Sequence, residues 1–97
     1  MKETYNIVLD GQLGERRGRL EWDESGGAVR GCLSLLGFDN VLTGERNGGI
    51  LHLTHELRTA VGQLCCRTTI RLRGRHLYGT IQTGRVSLPL RGEKTEE

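Results

Sequence analysis

Apolar residues in this chain recur at every second position, in short runs cut by glycine, and nowhere at the 3.6-residue spacing of an amphipathic helix. Leu20 and Trp22 flank Glu21, Leu33 and Leu35 flank Ser34, Leu51 and Leu53 flank His52, and Ile70 and Leu72 flank Arg71. Successive side chains of a strand point to opposite faces, so each such run has one oily side and one wet side. A chain built only of runs like these can bury its apolar surface only as sheet against sheet.

Fifteen glycines against a single proline suit many tight reversals. Turns are expected at Asp10-Gly11, Ser25-Gly26-Gly27, Gly37 to Asn40, Asn47-Gly48-Gly49 and Arg73-Gly74-Arg75. Between them the sequence predicts eight strands, near 4–13, 15–23, 27–36, 38–46, 49–58, 60–73, 75–83 and 84–92. Strands of this length joined by short turns use the whole chain and leave no lid or long loop.

The chain also resembles itself. A shift of 44 residues superposes Leu9 on Leu53, Leu13 on Leu57, Gly18 on Gly62 and Leu20 on Leu64. A shift of 48 superposes Gly26 on Gly74, Gly31 on Gly79, Leu42 on Leu90, Gly44 on Gly92 and Glu45 on Glu93. Two tandem four-strand repeats, approximately 4–46 and 49–94, are therefore expected within one domain spanning residues 1–97.

Alternation assigns the faces. The inward set is Ile7, Leu9, Leu13, Leu20, Trp22, Val29, Leu33, Leu35, Phe38 and Leu42 in the first copy. In the second it is Leu51, Leu53, Leu57, Leu64, Cys66, Ile70, Leu72, Leu77, Ile81, Val86, Leu88 and Leu90. One apolar face on every strand is what a sheet curled on itself requires, and closure removes exposed edges. The predicted fold class is all-β, a small antiparallel up-and-down β-barrel of about eight strands, ahead of a two-sheet sandwich or an intertwined dimer. In outline this resembles the streptavidin-like and lipocalin-like barrels (the calycin shape) without their sequence signatures, and a shared shape assigns no function.

Charge is unevenly spread. Residues 57–92 hold seven arginines and no acid, whereas residues 1–56 hold nine acids against six basic residues. Outward parity gathers Arg67, Arg71, Arg73, Arg75, Arg85 and Arg91 into a basic surface patch. Stacking aromatics are scarce there, only Tyr78 having the right parity, so nucleic-acid binding is not the expectation.

No nucleophile with its base, no carboxylate pair and no phosphate-cradling glycine loop occurs at a telling spacing, so the chain reads as non-enzymatic and without a cofactor. Cys65 and Cys66 are neighbours pointing to opposite faces, and His52 and His55 likewise, so no metal site is expected and the three cysteines read as free thiols. With no apolar leader and no stretch near the roughly 18 residues of a membrane span, a cytoplasmic location in a bacterial cell, away from membrane, is the expectation.

Two functions suit such a barrel. The first is binding of a small apolar molecule at the mouth or interior, with His55, Trp22, Thr68 and Thr83 as the inward polar or aromatic contacts. The inward pairs Gly18/Gly62 and Gly31/Gly79 either make room for it or let strands bend sharply. The second is a structural or interaction module that self-associates, as a homodimer, through its unlike-charged halves. Anion binding on the arginine face ranks below both.

Overall fold

A computed structural model of the chain describes residues 2–11 and 14–95. Its strands are β1 (Lys2–Gly11), β2 (Gly14–Ser25), β3 (Ala28–Leu35), β4 (Phe38–Asn47), β5 (Ile50–Thr59), β6 (Gly62–Arg73), β7 (His76–Thr83) and β8 (Val86–Lys94). Each pairs antiparallel with the next, and β8 returns to β1, closing an up-and-down barrel of eight strands. Among the described residues there is no helix, as the period-two pattern requires. The strands run 10, 12, 8 and 10 residues in the first half and 10, 12, 8 and 9 in the second.

The turns after β2 through β7 each have two residues, the length that best matches the twist of paired strands. Two reversals differ from the sequence expectation. Asp10 and Gly11, expected to turn, continue β1 in register with Glu15 and Gly14. The reversal placed at Gly37 to Asn40 is made by Leu36-Gly37 alone, and Phe38 to Asn40 already belong to β4. Leu36 has φ 57° and Gly37 φ 84°, so a leucine occupies a left-handed position that costs roughly 1 kcal/mol. Replacing Leu36 with Asn, which tolerates that conformation, is expected to raise stability by about 0.5–1 kcal/mol. Urea titration would show it as a higher midpoint at an unchanged slope.

Inside, the alternation holds closely. Ile7, Leu20, Trp22, Val29, Leu42, Leu51, Ile70, Leu77 and Ile81 are all but completely buried, with Leu9, Leu33, Leu35, Leu53, Leu57, Cys66 and Leu90 close behind. Leu72 and Leu88 pack against this core from its margin. Tyr5, absent from the expected inward set, belongs to it and stacks on Trp22 with ring centroids 5.2 Å apart and planes within 7°. Three residues assigned inward depart from expectation, for Phe38, Leu64 and Val86 are 38%, 45% and 38% exposed. Each stands within the first three residues of its strand at one end, beyond the filled part of the barrel. Leu13 lies outside the described residues.

The inward glycines bend the wall. A β-carbon on Gly31 would overlap the backbone oxygen of Glu21, one on Gly44 that of His52, and one on Gly79 that of Thr69. Gly18 and Gly92 are pressed in the same way by the backbone oxygens of Ser34 and Asn6. Neighbouring backbone occupies the space, so these positions serve tight curvature rather than room for a guest. Gly62 is different: it opens β6 with φ 154° and open space around it.

The closing seam is the weakest ladder. β8 and β1 share five registered pairs, from Tyr5–Lys94 to Leu9–Leu90, while the other neighbours share between six and ten. Side chains reinforce it. Arg91 donates to both carboxylate oxygens of Asp10 at 2.9 and 3.0 Å and also to Glu15 on β2. Lys94 pairs with Glu3 at 2.8 Å, and the Thr95 amide donates to the Thr4 carbonyl at 3.0 Å. Basic residues of the second half thus meet acids of the first within one barrel.

The mouth and the outer arginine wall as candidate binding surfaces

Strand direction sorts the molecule into two ends. At one lie the starts of β1, β3, β5 and β7; at the other, called here the mouth, lie the turns Leu36-Gly37, Ala60-Val61 and Gly84-Arg85. Phe38, Leu64 and Val86 ring the mouth, and turn residue Val61 stands 98% exposed beside them.

Below that ring the core becomes polar. His55 is buried on β5, and its Nε2 lies 2.6 Å from the Thr68 hydroxyl on β6. Its Nδ1 lies 3.0 Å from the Glu56 carbonyl, which only accepts, so Nδ1 carries the proton and Nε2 accepts from Thr68. Both ring nitrogens of the neutral imidazole are therefore satisfied. Burial pushes the His55 pKa below 6.5, partly opposed by the bond to Glu56. Opposite His55, burial pushes the Cys66 thiol up, partly offset by a hydrogen bond with Thr83 at the end of β7.

A folded-state pKa below the unfolded value means that protons favour the unfolded chain. The stability held by neutral His55 is complete above pH 6.5 and erodes as pH falls below it toward the lowered value. A melting series between pH 7.5 and 5 should show this loss, with a slope of no more than about 1.4 kcal/mol per pH unit for one proton. It should be missing from His55→Leu; an unchanged slope in that variant would contradict the assignment.

Asn40, expected in a turn, is a polar core residue of β4. The β4–β5 ladder stops at Leu42–His55, and beyond it the strands part. The Asn40 carboxamide spans the gap, donating to the Leu33 carbonyl at 3.0 Å and accepting from the Arg58 amide at 2.9 Å. Its signal was legible: an amide of inward parity between Phe38 and Leu42.

The four residues expected to line an inner site therefore separate. His55 and Thr68 are joined, and Thr83 is half-buried next to them at the mouth. Trp22 shares the transverse ladder row of His55, with Gly31 and Leu42 between them. It is held toward the other end, stacked on Tyr5, with its indole N–H donating to Glu24 at 3.3 Å. Glu24 is in turn gripped by Arg46 at 2.6 Å. Trp22 is a plug at the end remote from Phe38, Leu64 and Val86.

The outer wall of β6, β7 and β8 carries the arginines expected there. Arg91 is committed to Asp10 and Glu15, and Arg75 donates to the carbonyls of Lys94 and Thr95. Arg67, Arg71, Arg73 and Arg85 are exposed and pair with no carboxylate among the described residues. Tyr78, 51% exposed, stands in register between Arg71 and Arg91, and the row continues through Val8 to Arg17. A concavity of about 460 Å³ opens over the β7–β8–β1–β2 part of this wall.

With charge outside and hydrocarbon inside, the alternation is the reverse of a transmembrane barrel's. No helix of the described residues is long and apolar enough to cross a membrane. Among those residues no group of three or more His, Cys, Asp or Glu is placed to hold a metal ion, and Cys32, Cys65 and Cys66 are free. Comparison with protein-family models, with curated proteins and with solved structures finds no match.

Proposed function

We propose that the protein is a non-enzymatic binding barrel that takes a small, largely apolar molecule at its mouth. The observation that carries this reading is the ring of Phe38, Leu64 and Val86, side chains of inward parity left 38–45% exposed around one end of an otherwise filled core. Apolar surface gathered at one end of a barrel is what a hydrophobic ligand covers. The half-buried Thr83 hydroxyl supplies a polar contact at the rim, and the bonded pair His55–Thr68 forms a floor beneath it. The bending role of Gly31 and Gly79 directs the proposal to the mouth rather than the interior.

Native mass spectrometry of freshly purified protein, followed by titration with an environment-sensitive fatty-acid probe, tests it. The expected result is a retained or bound apolar molecule that is lost in Leu64→Asp and Val86→Asp and unaffected in Tyr78→Ala. Equal binding by the wild type and both mouth variants would end the proposal.

Self-association through unlike-charged surfaces is the alternative, supported by Arg67, Arg71 and Arg73, which have no carboxylate partner among the described residues. Sedimentation at low and high salt separates the two, because contacts of exposed charge weaken as salt rises. The closely matched strand lengths of the two halves support the inference that they arose by duplication.

A further inference from the structure

The outer wall holds a second feature that the mouth does not explain. Between β7 and β2 the surface is concave, and its edges carry complementary chemistry. At one edge the exposed ring of Tyr78 lies 6.3 Å from that of His76, with 23° between their planes, a roughly parallel aromatic pair. At the other edge is Arg17, which has no carboxylate partner among the described residues. Between them lie Asn6 and Glu93, which are registered partners of each other on β1 and β8.

The spacing is informative. Tyr78, Arg91, Val8 and Arg17 are consecutive members of one transverse row, so three interstrand steps separate the aromatic pair from the Arg17 guanidinium. At a strand spacing near 4.8 Å that is about 14 Å between backbones, less once both long side chains lean inward. Arg91, between them, has its charge offset by Asp10 and Glu15, which leaves Arg17 as the arginine of the concavity without a carboxylate partner among the described residues.

We propose that this concavity binds a small planar anion of the nucleotide type, its ring stacked on Tyr78 and His76 and its phosphate held by Arg17. Stacking on an exposed tyrosine accepts any flat ring, and a guanidinium matches phosphate oxygens two at a time. Asn6 and Glu93 offer an amide and a carboxylate to the polar edge of the ring or to sugar hydroxyls. A long single strand is less well served: the row holds one exposed aromatic, and its central arginine is already neutralised by two acids.

The test is calorimetric titration of the full chain with AMP, adenosine, ribose 5-phosphate and a dT₁₀ oligonucleotide at fixed salt. AMP is expected to bind more tightly than adenosine or ribose 5-phosphate. Tyr78→Ala should weaken AMP about tenfold. Arg17→Ala should do the same while leaving adenosine unchanged. Both side chains are exposed, so the variants should fold, and circular dichroism verifies that. Absence of AMP binding at millimolar concentration, or binding indifferent to both substitutions, overturns the proposal. Oligonucleotide binding far tighter than AMP, with a steep salt dependence, overturns it in favour of a nucleic-acid surface.

Discussion

Replacing Gly44 with alanine should cost the barrel on the order of 3 kcal/mol or more, enough to leave much of it unfolded. The added methyl would be driven into the His52 backbone oxygen and against the Leu53 backbone. No rotamer relieves that overlap, because a β-carbon has none to choose. Relief requires β4 and β5 to separate where they are paired from Leu42–His55 to Asn47–Ile50. Gly49→Ala is the matched control, since there a methyl meets only the Leu72 oxygen at an ordinary 3.6 Å and no positive φ is needed. Chemical denaturation should find the control within about 0.5–1 kcal/mol of wild type. A Gly44 variant equally stable would show that the wall yields more easily than its packing implies.

Trp22→Ala is the second large effect, expected at about 3–5 kcal/mol. The indole is essentially inaccessible and fills the end of the barrel opposite the mouth. Its removal leaves a void against Tyr5 and takes a donor from Glu24. As the only tryptophan, its emission reports unfolding of the wild type, so the variant is followed by circular dichroism. Trp22→Phe keeps most of the volume and part of the stacking while deleting the N–H. It should recover more than half of the loss, and no recovery would mean that the bond to Glu24 outweighs packing.

Much of this fold was legible in the residues because period two is unambiguous when nearly every strand has one oily side. The eight strands and the closure follow from that, as does the burial of Leu9, Leu33, Leu53 and Ile81. The misassigned residues share a cause: parity gives the direction of a side chain and not its depth. Phe38, Leu64 and Val86 point the way Leu42, Ile70 and Leu90 do, but they stand where the strands have outrun the core. A cluster of glycine, aspartate and asparagine over 37–40 reads as a turn, which hides that the Asn40 amide bridges a parted ladder. Shared parity placed His55 and Thr68 on one face, but their hydrogen bond depends on ladder register and the tautomer on the Glu56 carbonyl, backbone features that no residue name encodes.

The outer concavity was the hardest part to foresee. Tyr78 and Arg17 lie 61 positions apart in the chain and meet only through the β8–β1 closure. Register across a closing seam is set by the whole barrel, and no local pattern announces it.

That seam bears on the architecture as a topological object. Thr4 and Thr95 are already hydrogen-bonded neighbours, so a ring-shaped polypeptide would need only a short bridge there. Cut instead at the Gly48-Gly49 turn, the same ring would present the second half ahead of the first with every ladder residue still in place, the β4–β5 pairs included. Ladder by ladder the closed barrel has no first strand, and sequence order is in that sense a convention imposed on a cyclic arrangement.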